Sequence, residues 1–366
     1  MIQQSPPEVG AGRLRAFRRD DIPDVVALRQ RVFHFSERRS ATVLAEYFER
    51  IFFHHPWPDE ELPSWVHEDG RGRVTGFLGV LPRRMTWRGQ PIRMAVSTQL
   101  MVEPSSRGLV GLQLVRAFLA GPQDWSFSDT ANDTARRIFE GLGASTSMIH
   151  SFVWQRPLRP WRDHASRLAR GVVARGALFA ARPLVALRDA IAARMPDGAA
   201  RRPVGSVEPL TSALMLAHLD VLGSRALRPT YDSGSLDWLL EQVAEKRQFG
   251  TLEQALVRDA AGRVAGWFLY FLNPGGLSQV VQIAARPAAA RLVLQHLFHH
   301  AWSRGAAALA GRLEPALVPE LAALGCGFGR DGPWVLIHSR RPEIMPAVDR
   351  GDAFLSRLDG EWWLSF

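Results

Sequence analysis

The stretch Ser97–Gly143 reads STQLMVEPSSRGLVGLQLVRAFLAGPQDWSFSDTANDTARRIFEGLG, and its punctuation sets the elements around it. An apolar strand carrying Leu100, Met101 and Val102 stops at Glu103-Pro104, and a polar turn leads through Arg107-Gly108 into a helix. Leu112, Val115 and Leu119 recur at helical spacing, so one face of that helix is buried. A short strand, Trp125–Ser128, comes next. A second helix opens at Asp129–Asn132, where Asp129, Thr130 or Asn132 can cap it, and Gly143 sits at its stop. Strand, short loop and helix N-terminus together make an anion site, because the first helical amides lack partners and the dipole favours negative charge. Arg107 adds a cation, so the ligand class expected is a phosphate or pyrophosphate.

On these residues the chain resembles the GNAT acyltransferase superfamily. The likeness rests on Val102-Glu103-Pro104, on Arg107 before the helix, and on the run Asn132, Ala135, Ile138 and Gly143. It spans about residues 12–155. Two positions depart from the pattern: its loop glycines fall on Val110 and Leu112, with Gly108 and Gly111 in neighbouring slots, and its frequent tyrosine acid is Phe139. The resemblance implies acyl transfer from acetyl-CoA or another acyl-CoA, as co-substrate, to an amine or hydroxyl. It implies splayed strands that hold the pantetheine arm on the backbone of Leu100, Met101 and Val102. The phosphates would lie on the amides of Gly108, Leu109, Val110, Gly111 and Leu112 beside Arg107, with Asn132 in the second part of the motif.

A general base must deprotonate the acceptor. Glu103, Asp129 and Glu68 lie at strand ends near the expected cleft, and His150 is a further candidate; spacing singles out none of them. Asp129 also reads as a helix cap and Glu103 as a solvated strand end. Phe139 carries no proton, which leaves Ser128 or a water to protonate the departing thiolate. His296, His299 and His300 have helical ligand spacing but no Glu or Asp completes a zinc motif, so no metal is expected.

At 366 residues, 46% hydrophobic and 22% charged, the chain has room for two globular domains. Cys326 is the only cysteine, which excludes an intrachain disulfide. Neither a secretory signal nor a membrane span is visible, and a cytoplasmic location is expected. The net charge of +9 comes almost wholly from arginine, Lys246 being the only lysine. No zinc-finger or ribonucleoprotein motif accompanies it, so no nucleic-acid partner is expected; the acceptor is a small molecule.

The first part reads as strand Leu14–Phe17, helices Ile22–Phe33 and Ser40–Phe52, strands Ser64–Glu68, Val74–Pro82, Met85–Trp87 and Ile92–Val102, and a strand His150–Trp154. Residues 157–202 turn rich in Ala, Arg, Leu and Pro, with helices Trp161–Ala181 and Leu184–Met195. Their basic amphipathic face suits weak association with an anionic membrane surface, or packing on the protein itself. The second half then repeats the first. Asp69-Gly-Arg-Gly-Arg-Val-Thr-Gly76 matches Asp259-Ala-Ala-Gly-Arg-Val-Ala-Gly266 without a gap, and Ile138–Gly143 resembles Leu321–Gly325. That copy lacks the phosphate loop, since Ala285-Arg286-Pro287 runs straight into a helix. Val335–Ser339 and the tail to Phe366 complete the second sheet or clasp the first domain. The expected fold is therefore α/β, a mixed α+β sheet in two tandem GNAT-like domains, 1–156 and 204–366, joined by a helical linker, 157–203. An acyl-CoA-dependent acyltransferase is the leading reading. A catalytically inactive recognition or assembly protein is the alternative, favoured by Val110, Leu112 and Phe139.

Overall fold

The computed structural model describes residues 12–33, 40–106, 108–161, 186–189, 198–330 and 332–364. The first half supplies β1 (Arg13–Ala16), α1 (Ile22–Val32), α2 (Ala41–Phe53), β2 (Trp65–Glu68), β3 (Val74–Trp87), β4 (Gln90–Val102) and α3 (Leu109–Leu119). It continues with β5 (Trp125–Ala131), α4 (Asp133–Gly141), β6 (Ser145–Thr146), α5 (Met148–Ser151) and β7 (Val153–Pro157). The second half supplies β8 (Ser206–Pro209), α6 (Ser212–Ala217), β9 (Leu227–Pro229), α7 (Ser233–Ala244), β10 (Thr251–Arg258) and β11 (Val264–Leu272). After these come β12 (Leu277–Ala285), α8 (Ala290–Ser303), β13 (Ala308–Arg312), β14 (Gly327–Gly329) and β15 (Trp334–Ser339). The expected helices Trp161–Ala181 and Leu184–Met195, and most of the basic face over 157–202, lie outside the described residues. No helix among the described residues is long and apolar enough to cross a membrane.

The two halves repeat one another at the level of turns as well as sheets. Asp69 accepts from the amides of Arg71 and Arg73, and Asp259 accepts from those of Ala261 and Arg263. Gly72 and Gly262 then both adopt φ +77°, where a side chain would be strained. Each turn feeds an apolar strand with a glycine four residues on. A Cβ at Gly76 would lie 2.6 Å from Val110 Cγ1 of α3, and one at Gly266 would lie 2.9 Å from Val293 Cγ2 of α8. Helix and strand approach closely only because those side chains are missing.

The sheets run β1-β2-β3-β4-β5-β15-β6 and β8-β10-β11-β12-β13-β7-β14, with β9 added to β3. Position by position the orders correspond, and in each only the central β4–β5 or β12–β13 pair is parallel. The sixth place of each sheet is filled by the other half: β7 pairs with β13 and β14, while β15 pairs with β5 and β6. The strand expected at His150–Trp154 thus begins as a short helix and leaves its own sheet, and Val335–Ser339 enters the first sheet, not the second. Both are short strands that fit either sheet, so pairing over distance decides between them.

Between the sheets lies one core to which both halves contribute. Phe48 and Phe77 of the first half, Trp267 and Phe271 of the second, and Phe354 and Trp363 of the C-terminal tail are all buried in it. Each such side chain contributes about 1.5–3 kcal/mol by leaving water. Helices α3 and α4 cover the outer face of the first sheet, and α8 covers that of the second. One expected break is absent: β3 runs through Pro82 without interruption to Trp87. Pro82 lies beyond the last β2 partner of β3, so the missing amide falls where that side of the strand is an edge. The turn Arg88-Gly89, with φ of 50° and 81°, closes the long β3–β4 hairpin.

Candidate functional site

Strands β4 and β5 are paired only from Met94–Trp125 to Val96–Phe127. Beyond that, β4 follows β3 and β5 follows β15, so the two strands diverge and leave a wedge. A bulge sits on the β4 side. Phe77 faces Met101 and Gly79 faces Thr98, which puts Gln99 and Leu100 opposite the single Leu78. Gln99 has φ +54°, a conformation rare for a residue with a side chain. Arg29 of α1 donates to Gln99 Oε1 at 2.7 Å, and Tyr47 of α2 also bonds this side chain. The strained residue is therefore held from two helices, and the backbone after it, Leu100, Met101 and Val102, has no β5 partner.

At the mouth of the wedge Pro104–Ser106 forms one tight turn and α3 begins at Leu109. Gly108 is its N-cap and brings no side chain, so the first amides of the helix carry no side-chain cap. A Cβ at Gly108 would meet nothing within 4 Å, and Leu109 is exposed. Val110 turns inward onto Gly76, while Gly111 faces Ile138 and Val102. The valine in the glycine slot therefore packs against β3 and does not occupy the loop; Leu112 is half-buried. Arg107 lies outside the described residues. Asn132 caps α4, its Oδ1 accepting from the Ala135 amide at 2.9 Å, and Phe139 is buried against Phe118.

Each of the three carboxylates expected near the cleft is already engaged. Glu68 accepts from Arg15 Nε at 2.7 Å on the β1–β2 side of the sheet, and that bond holds its carboxyl below the usual range. Glu103 pairs with Arg31 Nε at 2.9 Å. Asp129 does not cap the helix; it forms a buried ion pair with Arg312 of β13 and accepts the Glu361 amide at 2.8 Å. His150 is buried with Nδ1 2.8 Å from Ser147 Oγ, and burial pushes its pKa down to about 4. Among the described residues no group of His, Cys, Asp or Glu could hold a metal. His296 and His299 donate to the carbonyls of Val204 and Ala199, and His300 bonds Tyr270.

The wedge is reached by the C-terminal tail. Glu361 brings its carboxylate to Ser128 Oγ of β5, which donates to it at 2.5 Å, and Thr130 and Thr98 also bond it. Thr98 belongs to β4, so this carboxylate bridges the diverging strands. Tyr47, which holds Gln99, donates its hydroxyl to the Leu364 carbonyl at 3.0 Å. The second sheet has the corresponding wedge, because β12 and β13 part after Gln279–Ala310, and it carries a bulge at the matching place. There the tail places Arg357, which donates to Gln279 Oε1 and to the Val280 carbonyl, both at 3.0 Å. One short tail therefore serves both wedges, with a cation in the second and a carboxylate in the first.

Gln99, Arg29, Arg312 and Glu361 were not found in the sequence. Gln99 stands in an alternating strand with no turn residue to mark a bulge. The others reach the wedge from elements far away in the chain. Only Trp362 and Trp363, directly following the acid Glu361, hinted that the tail is anchored.

Residues 13–120 match the family model of the Acetyltransferase (GNAT) domain. No curated protein matches the sequence. Among solved structures, the chain is similar to a GCN5-related N-acetyltransferase from Anabaena variabilis at 13% identity, covering 90% of this chain and 73% of that one, with a TM-score of 0.59. A probable N-acyltransferase from Enterococcus faecalis gives 13% identity over 90% and 73%, with a TM-score of 0.58. N-myristoyltransferase from Saccharomyces cerevisiae, with bound myristoyl-CoA, gives 12% identity over 92% and 79%, with a TM-score of 0.52. At these identities the likeness is one of fold. Residues 13–120 thus carry a match to the GNAT acetyltransferase domain, and the chain shares the fold of the N-acyltransferase structures it resembles.

Proposed function

We propose that this protein transfers an acyl group, in the first place acetyl, from acyl-CoA to an amine or hydroxyl of a small molecule or of an envelope or polysaccharide precursor. The observation that carries this reading is the strained bulge at Gln99 on the open side of the β4–β5 wedge, next to an uncapped helix N-terminus. The residues fit the co-substrate. The amides of Leu109, Val110 and Gly111 suit a diphosphate, Gly108 leaves the approach clear, and the sequence puts a cation, Arg107, directly before them. Leu100, Met101 and Val102 offer free backbone groups to a pantetheine amide chain. An amide fixed just after the bulge donates where negative charge grows on the thioester oxygen, and needs no reorganisation to do so. Holding donor and acceptor together supplies much of the remaining rate advantage. Only the first half has this apparatus, because Arg286 donates to the Val264 carbonyl and pairs with Asp220 where the second half would need an open loop. A cytoplasmic setting, where acyl-CoA is made, agrees with the single buried thiol of Cys326.

The reading of an inactive recognition or assembly protein draws support from the tail across the wedge and from Phe139. Calorimetry with acetyl-CoA and longer acyl-CoAs decides between the two. Binding that is present in the full chain and absent in Gly108→Trp, with unchanged melting, supports acyl transfer. No heat at millimolar thioester leaves the inactive reading.

A further inference from the structure

The carboxylate in the wedge differs in kind from the other acids around it. Glu103 is paired with Arg31, Asp129 with Arg312, and Glu68 with Arg15. The hydrogen-bond partners of Glu361 are uncharged: the side chains of Ser128 and Thr130 on β5 and Thr98 on β4, and the Thr130 backbone amide. It stands where the strands part, beside the free backbone of β4, and Ser128 lies one residue past the last β4–β5 pair. Phe139, buried against Phe118, has no proton to give, so another group must protonate the sulfur that leaves.

We propose that Glu361 and Ser128 form the proton circuit of the transfer, an inference that rests on the acyl-CoA reading above. Glu361 takes the proton of the acceptor amine or hydroxyl as the new bond forms to the acyl carbon. The carbon–sulfur bond breaks with its electron pair on sulfur, and Ser128 gives its hydroxyl proton to that sulfur. Glu361 returns the captured proton to Ser128 Oγ across their 2.5 Å bond, so both residues end as they began. The net change is acyl group for proton: thioester and acceptor become free thiol and acylated acceptor.

The surroundings suit this role. Burial raises the Glu361 pKa, and its uncharged hydrogen-bond partners only partly oppose that, so it holds a proton more readily than an ion-paired acid. The charged or titratable groups that face it are the Asp129–Arg312 pair and Tyr47. That pair balances its own charge and accepts the Glu361 amide, which fixes the side chain without neutralising it. The tail from the second half is on this view part of the active site of the first.

The test uses the full chain, acetyl-CoA and hydroxylamine as acceptor, with thiol release measured above the uncatalysed background and acetyl-CoA affinity measured by calorimetry. Glu361→Gln keeps the volume and the bond to Ser128. It is expected to lower kcat about 100-fold, to leave the acetyl-CoA Kd within about 2-fold, and to abolish the acid limb of the pH–rate profile. Ser128→Ala is expected to lower kcat about 10-fold and to keep that limb. Should Glu361→Gln melt early, Ser128→Ala decides alone, and an undiminished kcat there overturns the circuit. Equal or faster turnover by a folded Glu361→Gln overturns it too, and would make the tail a plug. Acetyl-CoA binding without any thiol release by the unmodified chain counts equally against it. Absence of acetyl-CoA binding by that chain overturns the acyl-CoA reading itself, which separates the two failures.

Discussion

Asp129 and Arg312 occupy the same position in two copies of one sheet and form an ion pair with each other. Each stands two residues past the last parallel pair of its sheet, Phe127 in one and Ala310 in the other. Their side chains meet in the buried seam between the halves, where burial pushes the Arg312 pKa down to about 10. Corresponding positions of the two sheets thus carry opposite charges that pair with each other. Asp129→Ala strands a buried guanidinium and should cost about 3–5 kcal/mol in denaturant unfolding. Asp129→Ala with Arg312→Met should cost clearly less than the single change; additive losses would mean that the pair is not coupled.

Exchange of β7 and β15 makes each sheet depend on the other half of the chain. Residues 1–161 and 198–366 expressed separately should each lack the strand that joins the two parts of its sheet, and should aggregate. Co-expressed, they should elute together at the size of the full chain. A cooperative melt from either half alone would contradict this.

Gln99 keeps a left-handed backbone at the bulge. Gln99→Gly removes the conformational cost but also the bonds to Arg29 and Tyr47, so its stability should change by less than about 1 kcal/mol. Gln99→Val retains the cost, adds a branched side chain and should lose about 1–3 kcal/mol. Its acyl-CoA affinity should fall further than that of the glycine variant, as read by calorimetry.

Gly76→Ala and Gly266→Ala probe the same helix–strand contact in the two halves. At Gly76 the new methyl meets the ends of Val110 and Leu114, which can turn. At Gly266 it meets the Ala284 carbonyl oxygen, which is backbone and cannot. Gly266→Ala should therefore lower the melting temperature more than Gly76→Ala, the latter costing about 1–3 kcal/mol.

Acid should destabilise the fold through two buried histidines. Burial holds the pKa of His150 at about 4, and burial beside Arg83 holds that of His55 at about 3, against 6.5 in the unfolded chain. Between those values the unfolded chain binds protons that the folded chain refuses. Stability from this source is complete above about pH 6.5 and falls toward pH 4, by up to about 1.4 kcal/mol per pH unit for each histidine. Glu314 acts in the opposite direction: burial pushes its pKa up from 4.5 to about 8, so the folded state loses stability as pH rises through that interval. Melting temperatures from pH 4 to 8 should show a shallower acid limb for His150→Gln. Glu314→Gln should gain stability, relative to the parent, at pH 8 but not at pH 5.

Much of the fold was legible because its signals are local. The turns at Asp69 and Asp259 need an acceptor two and four residues before the amides they bind, and that spacing is written in the chain. Helical periodicity located α1 and α2 to within a few residues and found the buried face of α3, and Gly76 and Gly266 marked the repeat. Around the candidate site, the sequence pointed to the strand Leu100–Val102 and to the helix start at Gly108. It also proposed Glu68, Glu103 and Asp129, whose partners Arg15, Arg31 and Arg312 could not be read from spacing.

By itself the sequence determined the order of elements along much of the chain and the matching turns at Asp69 and Asp259. Tertiary structure decided which sheet takes β7 and β15, that β4 is bulged at Gln99, and that Glu361 lies between the parted strands. The physical reason is range. A cap, a turn or a helical stripe is settled by residues a few positions apart, whereas an apolar strand or a buried carboxylate takes its place from partners hundreds of residues away. Such partners become neighbours only once both sheets close on their common core.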